Sequence, residues 1–354
     1  MKFILSLLLV CLLSAANGKA KVPVTYKANN PYLNYVGRID FRNKSKPRFW
    51  NPGVYVQARF EGTSLAIDLN DEVMYGKNHN YIEIAIDNSM PLRMQTTGKT
   101  NHIKVADHLP AGIHTVTICK NTETNIGYLE FVGIKCQRLL PWVEKTRHKI
   151  EFIGNSITCG ASSDQSVVPC GKGVWQDQHN AYMAYGPRTA RILNAQWHLS
   201  AYSGIGLIHS CCDIKFTMPE IYNRVNLLQD SIKWNFNKYT PDVVTMCLGQ
   251  NDGIQDSATF CKAYADFMTV VRKHYPKADI VMLTSPMGED KLNNVLKNYI
   301  TSVENYLHAK GDKKVSHYFY KVRYVAGCDS HPSLQEHKLI ADELSGYLKK
   351  LKGW

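Results

Sequence analysis

Between residues 22 and 140, apolar and polar positions alternate with a period of two. The run GVYVQARFEGTSLAIDLND (Gly53–Asp71) keeps that alternation on both sides of Glu61-Gly62-Thr63, which predicts two half-buried strands joined by a turn. YIEIAID, GIHTVTICK and YLEFVGIKC repeat the pattern, with Gly, Pro and Asn between them. Short strands at this spacing predict an antiparallel β-sandwich of jelly-roll kind. After Pro141 the period changes. Strand-like runs at Lys149–Ile153, Gln196–Ala201, Asp242–Leu248, Asp279–Thr284 and Ser316–Val322 alternate with segments of helical period, such as SATFCKAYADFMTVVRKHY and LQEHKLIADELSGYLKKL. That alternation predicts a parallel sheet with helices on both faces, a three-layer α/β/α domain. The boundary falls within 138–148, giving a sandwich over 22–140 and an α/β domain over 146–354.

The first 18 residues follow neither pattern. Lys2, the apolar run Phe3–Leu13 and the small residues from Ser14 to Gly18 read as a secretory signal peptide. No later run is long enough to span a bilayer, so the processed chain is expected to be exported, to a periplasm or beyond the cell. The formal net charge of +12 falls by one, to +11, when Lys2 is removed. A basic surface suits an acidic polysaccharide or an anionic membrane, and equally serves solubility. Dense Lys/Arg blocks with interleaved aromatics are missing, which argues against nucleic acid. Of 10 cysteines, all but Cys11 lie beyond the signal, an odd number that leaves at least one thiol unpaired. Cys119–Cys136 and Cys159–Cys170 are the candidate bridges, although spacing alone does not fix connectivity. No Cys/His spacing suits zinc, and neither a metal nor a cofactor is expected.

Candidate chemistry gathers where the strands of the second half end. Gly154-Asn155-Ser156 follows the first, Ser203-Gly204-Ile205-Gly206 the second, Gly249-Gln250-Asn251-Asp252 the third, and Cys328-Asp329-Ser330-His331-Pro332 the last. In an open parallel sheet the ligand crevice lies beyond the carboxyl ends of the strands, so these four loops converge. They bring the parts that acyl transfer needs. A serine hydroxyl becomes a useful nucleophile when an imidazole accepts its proton and a third group fixes the imidazole's tautomer. Ser156, His331 and Asp329 are the candidates, with the Asp329 carboxylate folding back within one loop to reach Nδ1. The backbone N–H groups of Ser156 and Gly204 and the side-chain amide of Asn251 are candidate oxyanion donors.

The order GNS, SG, GQND, DSH resembles the sequence blocks of the SGNH (GDSL-like) hydrolases over roughly residues 146–354. With a β-sandwich ahead of it, and with one residue between Asp and His, the chain resembles carbohydrate esterase family 2 more closely. VGRIDF, the FWNPG turn and ARFEGTSL are similar to that family's sandwich domain. The resemblance implies a flavodoxin-like catalytic sheet and a metal-independent esterase that deacetylates plant cell-wall polysaccharides, acetylxylan among them. It implies Ser156 as nucleophile, His331 as base, and Gly204 and Asn251 as oxyanion donors. Some members of the family use a backbone carbonyl in place of the Asp, so for Asp329 the resemblance leaves both arrangements open. Asn155 stands where many members of the superfamily have Asp.

The expected partner is therefore an acetylated polysaccharide or oligosaccharide. A second reading keeps the chemistry and changes the substrate to a lysophospholipid or longer acyl ester; the lack of a long apolar lid segment counts against it. A third is a non-catalytic polysaccharide-binding protein, which the intact set of five site residues opposes. Trp175 and Tyr182 suit either a sugar-stacking platform or ordinary packing. His179, His198, His209 and His337 are expected to be structural or surface residues.

Overall fold

The computed structural model describes residues 22–87 and 89–354; the expected signal peptide and Cys11 lie outside the described residues. The first half forms strands β1 (Val24–Lys27), β2 (Asn34–Val36), β3 (Arg48–Phe49), β4 (Tyr55–Glu61), β5 (Leu65–Asp71) and β6 (Tyr81–Ile86). It continues with β7 (Leu92–Gln95), β8 (Thr100–Ala106), β9 (Ile113–Lys120), β10 (Leu129–Cys136) and β11 (Arg138–Leu140). Two antiparallel sheets result. One has the order β1-β10-β5-β8 with β3 beside β10, and the other β11-β4-β9-β6-β7 with β2 beside β4. The two strands read from the Gly53–Asp71 alternation are β4 and β5, and they lie in opposite sheets. Their turn carries the chain across the sandwich, so Phe60 and Ile67 enter one core from two sides, together with Phe131, all fully buried. Alternation reports which face is buried, and each strand buries its inner face here whichever sheet it joins.

The second half contains β12 (His148–Gly154), β13 (Ala195–Ala201), a hairpin of β14 (Arg224–Asn226) and β15 (Gln229–Lys233), then β16 (Val243–Cys247), β17 (Asp279–Leu283) and β18 (Val315–Tyr318). Its sheet is parallel, in the order β13-β12-β16-β17-β18. The helices are α1 (Ser156–Cys159), α2 (Tyr185–Ile192), α3 (Met218–Ile221), α4 (Ser257–His274), α5 (Asp290–Ala309) and α6 (Leu334–Lys352). From β12 the chain crosses first to one side and later to the other. Right-handed crossovers then place α2 on one face and α4 and α5 on the opposite face. α2 packs on α6, and α4 on α5, closing the three layers. α6 begins with a capping box, Ser333 with Glu336, and buries Ile340, Leu344 and Leu348 along one stripe.

The two halves share a buried interface. Tyr55 of β4 packs on Trp197 of β13 with ring centroids 4.1 Å apart, and the Trp197 indole N–H donates to the Gly53 carbonyl at 2.9 Å. Arg38, just after β2, is entirely buried among residues of the second half. Its Nη2 donates to Ser200 Oγ at 2.8 Å and lies 3.5 Å from Glu151 Oε1, while Nη1 donates to the carbonyls of Tyr222 and Arg224. Glu151 sits on β12, the strand that leads to Ser156. Removing one member of a buried ion pair leaves an uncompensated charge. Arg38→Met is therefore expected to destabilise by about 3–5 kcal/mol, read as a lower urea midpoint at unchanged slope. Adding Glu151→Leu should recover a large part of the loss; a single variant as stable as the wild type would contradict the buried pairing.

Candidate active site

β12 is fully buried from Ile150 onward and ends at Gly154. A Cβ on Gly154 would stand 2.0 Å from Thr158 Oγ1, so the tight exit from the strand requires glycine there. Asn155 caps the one-turn helix α1, its side chain accepting from Ile157 N–H at 3.2 Å. Ser156 is thereby the first helical residue, 8% exposed at the carboxyl edge of the sheet.

His331 reaches it from the loop between β18 and α6. Nε2 lies 2.8 Å from Ser156 Oγ. Nδ1–H donates to the backbone carbonyl of Asp329 at 3.1 Å, which leaves the Nε2 lone pair for the serine proton. The expectation that the Asp329 carboxylate folds back to Nδ1 is corrected here. Asp329 and Ser330 adopt left-handed φ of 52° and 57°, which brings the 329 carbonyl under the ring. The exposed carboxylate instead accepts from Ser162 Oγ at 3.3 Å. The loop is pinned at its base by Cys328 N–H donating to Ser162 O at 2.8 Å, and by a disulfide between Cys170 and Cys328.

Disulfide pairing also departs from expectation. Cys119, Cys136 and Cys159 are free and buried, and neither candidate bridge forms; the second disulfide joins neighbours Cys211 and Cys212. Cys119 and Cys136 lie in opposite sheets, facing different cores.

Gly204 follows β13 with φ of +79°, a conformation costly for any other residue, and Cβ there would meet Ile214 and Cys211. Its N–H has no acceptor among the described residues. The Asn251 amide donates one hydrogen to the Ile205 carbonyl at 2.8 Å and keeps a second. The neighbouring Asp252, nearly fully buried, accepts from the N–H groups of Leu207, Ile208 and His209 at 2.7–3.0 Å, tying the Asn251 turn to the Gly204 loop. Sequence reading used the Asn of GQND and missed this role of its Asp.

Ser156, Gly204, Asn251 and His331 line one cleft of about 490 Å³. Trp175 forms part of its wall and is 39% exposed, whereas Tyr182 is buried against Trp197. The sandwich also contributes, through Asn125. Asn125 belongs to Asn121-Thr122-Glu123-Thr124-Asn125, a wholly polar run that is nevertheless buried from Asn121 to Thr124. Among the described residues no group of His, Cys, Asp and Glu is arranged to hold a metal ion, and no helix is long and apolar enough to cross a membrane.

This two-domain arrangement has counterparts. Residues 35–142 match the family model of the carbohydrate esterase 2 N-terminal domain, and residues 150–344 that of the GDSL-like lipase/acylhydrolases. The chain is 32% identical over 343 residues to the cellulase/esterase CelE of Acetivibrio thermocellus, covering 92% of this chain and 40% of that much longer protein. It is 25% identical over 345 residues to an acetylxylan esterase / glucomannan deacetylase of Cellvibrio japonicus, covering 93% and 92% of the two chains. A family two carbohydrate esterase from Clostridium thermocellum, solved in complex with cellohexaose, superposes with a TM-score of 0.83 at 29% identity, over 91% of this chain and 99% of that one. The chain belongs to carbohydrate esterase family 2, within the SGNH superfamily.

Burial holds the His331 pKa below the ordinary 6.5, with His179 adding to the effect and the Asp329 carbonyl opposing it. The neutral imidazole is the form that accepts a proton, and this shift keeps the ring neutral to a lower pH than an ordinary histidine. An NMR titration of the ring is expected to give a midpoint under 6.5; a midpoint at or above it would contradict the burial described.

Proposed function

We propose that the protein is an exported carbohydrate O-acetyl esterase that removes acetyl groups from plant cell-wall polysaccharides, acetylxylan or a related polymer. The observation that carries this reading is the 2.8 Å contact between Ser156 Oγ and His331 Nε2 within a cleft lined by Gly204 and Asn251. Ser156 attacks the acetyl carbonyl as His331 takes its proton. The oxyanion is met by the N–H groups of Ser156 and Gly204 and by the free hydrogen of the Asn251 amide. His331 then returns the proton to the departing sugar oxygen. Water, deprotonated by the same ring, attacks the acetyl-Ser156 ester and releases acetate. Asp329 acts in this scheme through its carbonyl, which holds the ring's tautomer and orientation without adding a charge.

The substrate class is supported by family membership, by the acetylxylan and glucomannan named for the Cellvibrio relative, and by the cellohexaose bound to the Clostridium enzyme. Export is supported by the signal-like residues 1–18.

The test compares acetate release from acetylated xylan and acetylated glucomannan with hydrolysis of a long-chain acyl ester. Acetate release should dominate and fall about 10⁴-fold or more in Ser156→Ala, as expected when a serine nucleophile is removed. Turnover of the long-chain ester alone would move the protein to the lysophospholipase-like reading, and no turnover of any ester to the binding reading. Asp329→Asn, which tolerates the left-handed backbone, should change kcat by less than about 3-fold, whereas a carboxylate acting on the imidazole would cost about 10⁴-fold.

A further inference from the structure

We infer that Glu123, a carboxylate supplied by the sandwich, is a positioning residue that fixes the oxyanion donor Gly204 through Ser203, so that the sandwich completes the active site from behind. The inference rests on the esterase reading above.

Glu123 lies in the connection between β9 and β10, immediately before a single 3-10 turn over Thr124–Ile126, and it is fully buried. Its carboxylate meets three separate segments of the catalytic domain. Ser203 N–H donates to Oε2 at 2.8 Å, and Ser203 Oγ–H donates to Oε1 at short range. The Cys159 thiol, at the end of the helix that Ser156 begins, lies near enough to the same carboxylate for the Glu123 charge to add to burial in raising its pKa. His179 Nε2 lies 3.3 Å from Oε1, within ion-pair range but off the line of a hydrogen bond, and the His179 ring meets Trp175 of the cleft wall edge-on at 4.1 Å. One side chain therefore bonds to the oxyanion loop, stands against the support of the cleft's aromatic wall, and faces the end of the nucleophile helix.

The turn that presents Glu123 is itself held. The buried Lys120 Nζ donates to the carbonyls of Thr122 and Glu123 at 2.6 and 3.1 Å. Burial alone would favour the neutral acid, yet the nearby His179 ring and the hydrogen bonds from Ser203 outweigh it and keep the Glu123 pKa below its ordinary value. The acceptor facing Ser203 is thus an anion, which makes the stronger hydrogen bonds.

The consequence for Gly204 follows from the chain. Two bonds from Ser203 to one carboxylate fix the residue just before the glycine, and with it one side of the 203–204 peptide plane, whose Gly204 N–H lacks an acceptor among the described residues, at the cleft. A glycine has the widest backbone freedom of any residue. Without the anchor its N–H is one orientation among several, and an oxyanion donor helps only when it is aimed in advance.

The test takes Glu123→Gln, Glu123→Ala and Ser203→Ala in the full chain, with thermal unfolding, kcat and KM on 4-nitrophenyl acetate, and the rate at which diethyl 4-nitrophenyl phosphate labels Ser156. Removing a single oxyanion donor costs roughly 10²–10³ in kcat, so Glu123→Ala should lose about 100-fold, Glu123→Gln about 10-fold and Ser203→Ala about 3-fold. KM should move by no more than about twofold, because the donor acts on the transition state. Labelling of Ser156 should slow in the same order. Wild-type kcat in the Gln variant, or a lower melting temperature with unchanged kcat and labelling, would reduce Glu123 to a structural strut and overturn the inference. Should Glu123→Ala not fold, the Gln and Ser203→Ala variants decide by the same readout. A wild-type protein that is labelled at Ser156 but releases no acetate from any carbohydrate would defeat the esterase reading alone, since the labelling rates still report on Glu123.

Discussion

A guanidinium with no water around it must be met on every side by the protein, and Arg38 is in that position. It leaves the sandwich and finds its acceptors on Ser200, Glu151 and the carbonyls of Tyr222 and Arg224. Ser200 and Glu151 stand on β13 and β12, the strands that lead to Gly204 and Ser156. The desolvation of such a charge is recovered only when all of these groups are present together. The two domains are therefore a single unit: the catalytic sheet completes the solvation shell of a sandwich residue, and the sandwich in turn lines the cleft through Asn125. The hydrophobic contacts across the interface, Tyr55 on Trp197 among them, are less particular about angle and distance. The arginine fixes the register.

Much of this was legible in the sequence, for identifiable reasons. Period-two alternation located the sandwich strands because each buries one face, and the apolar runs of the second half located the parallel strands because those are buried on both. The four polar loops could be placed at one edge because the carboxyl ends of parallel strands share an edge by construction. What stayed hidden depends on contacts between distant parts of the chain. Arg38 and Glu123 are charged residues in connections between strands, and nothing local distinguishes them from solvated ones. Asn121–Thr124 is polar throughout, yet it is buried against Ala181, Tyr182 and Ser203 of the other domain. The Cys170–Cys328 bridge spans a separation of 158 residues, whereas both candidate bridges join cysteines much closer in the chain. The role of Asp329 was hidden differently: its residue type suggested the carboxylate, while its backbone angles put the carbonyl to use.

The polar loops are also ordered by a common device. Each candidate group is held through a bond made by a residue of its own loop, at most three positions away. Asn155 caps the helix that presents Ser156, Asp252 gathers the N–H groups of the Gly204 loop next to Asn251, and Cys328 anchors the turn that carries His331. Preorganisation of this kind is what electrostatic catalysis requires, because groups that need not move at the moment of reaction cost nothing to align then.

The carbonyl beneath His331 has an implication for how the site tolerates sequence change. A side-chain partner can be deleted by one codon; a backbone carbonyl is present whatever residue occupies the position. The mutational exposure of the imidazole's support is thereby displaced from Asp329 to the residues that dictate the path of the chain. Those are Gly327, whose Cβ would strike backbone oxygens at 2.7–2.8 Å, and the two half-cystines that fasten the loop. Evolutionary drift at 329 is then limited by which side chains accept a left-handed backbone, not by which carry a negative charge.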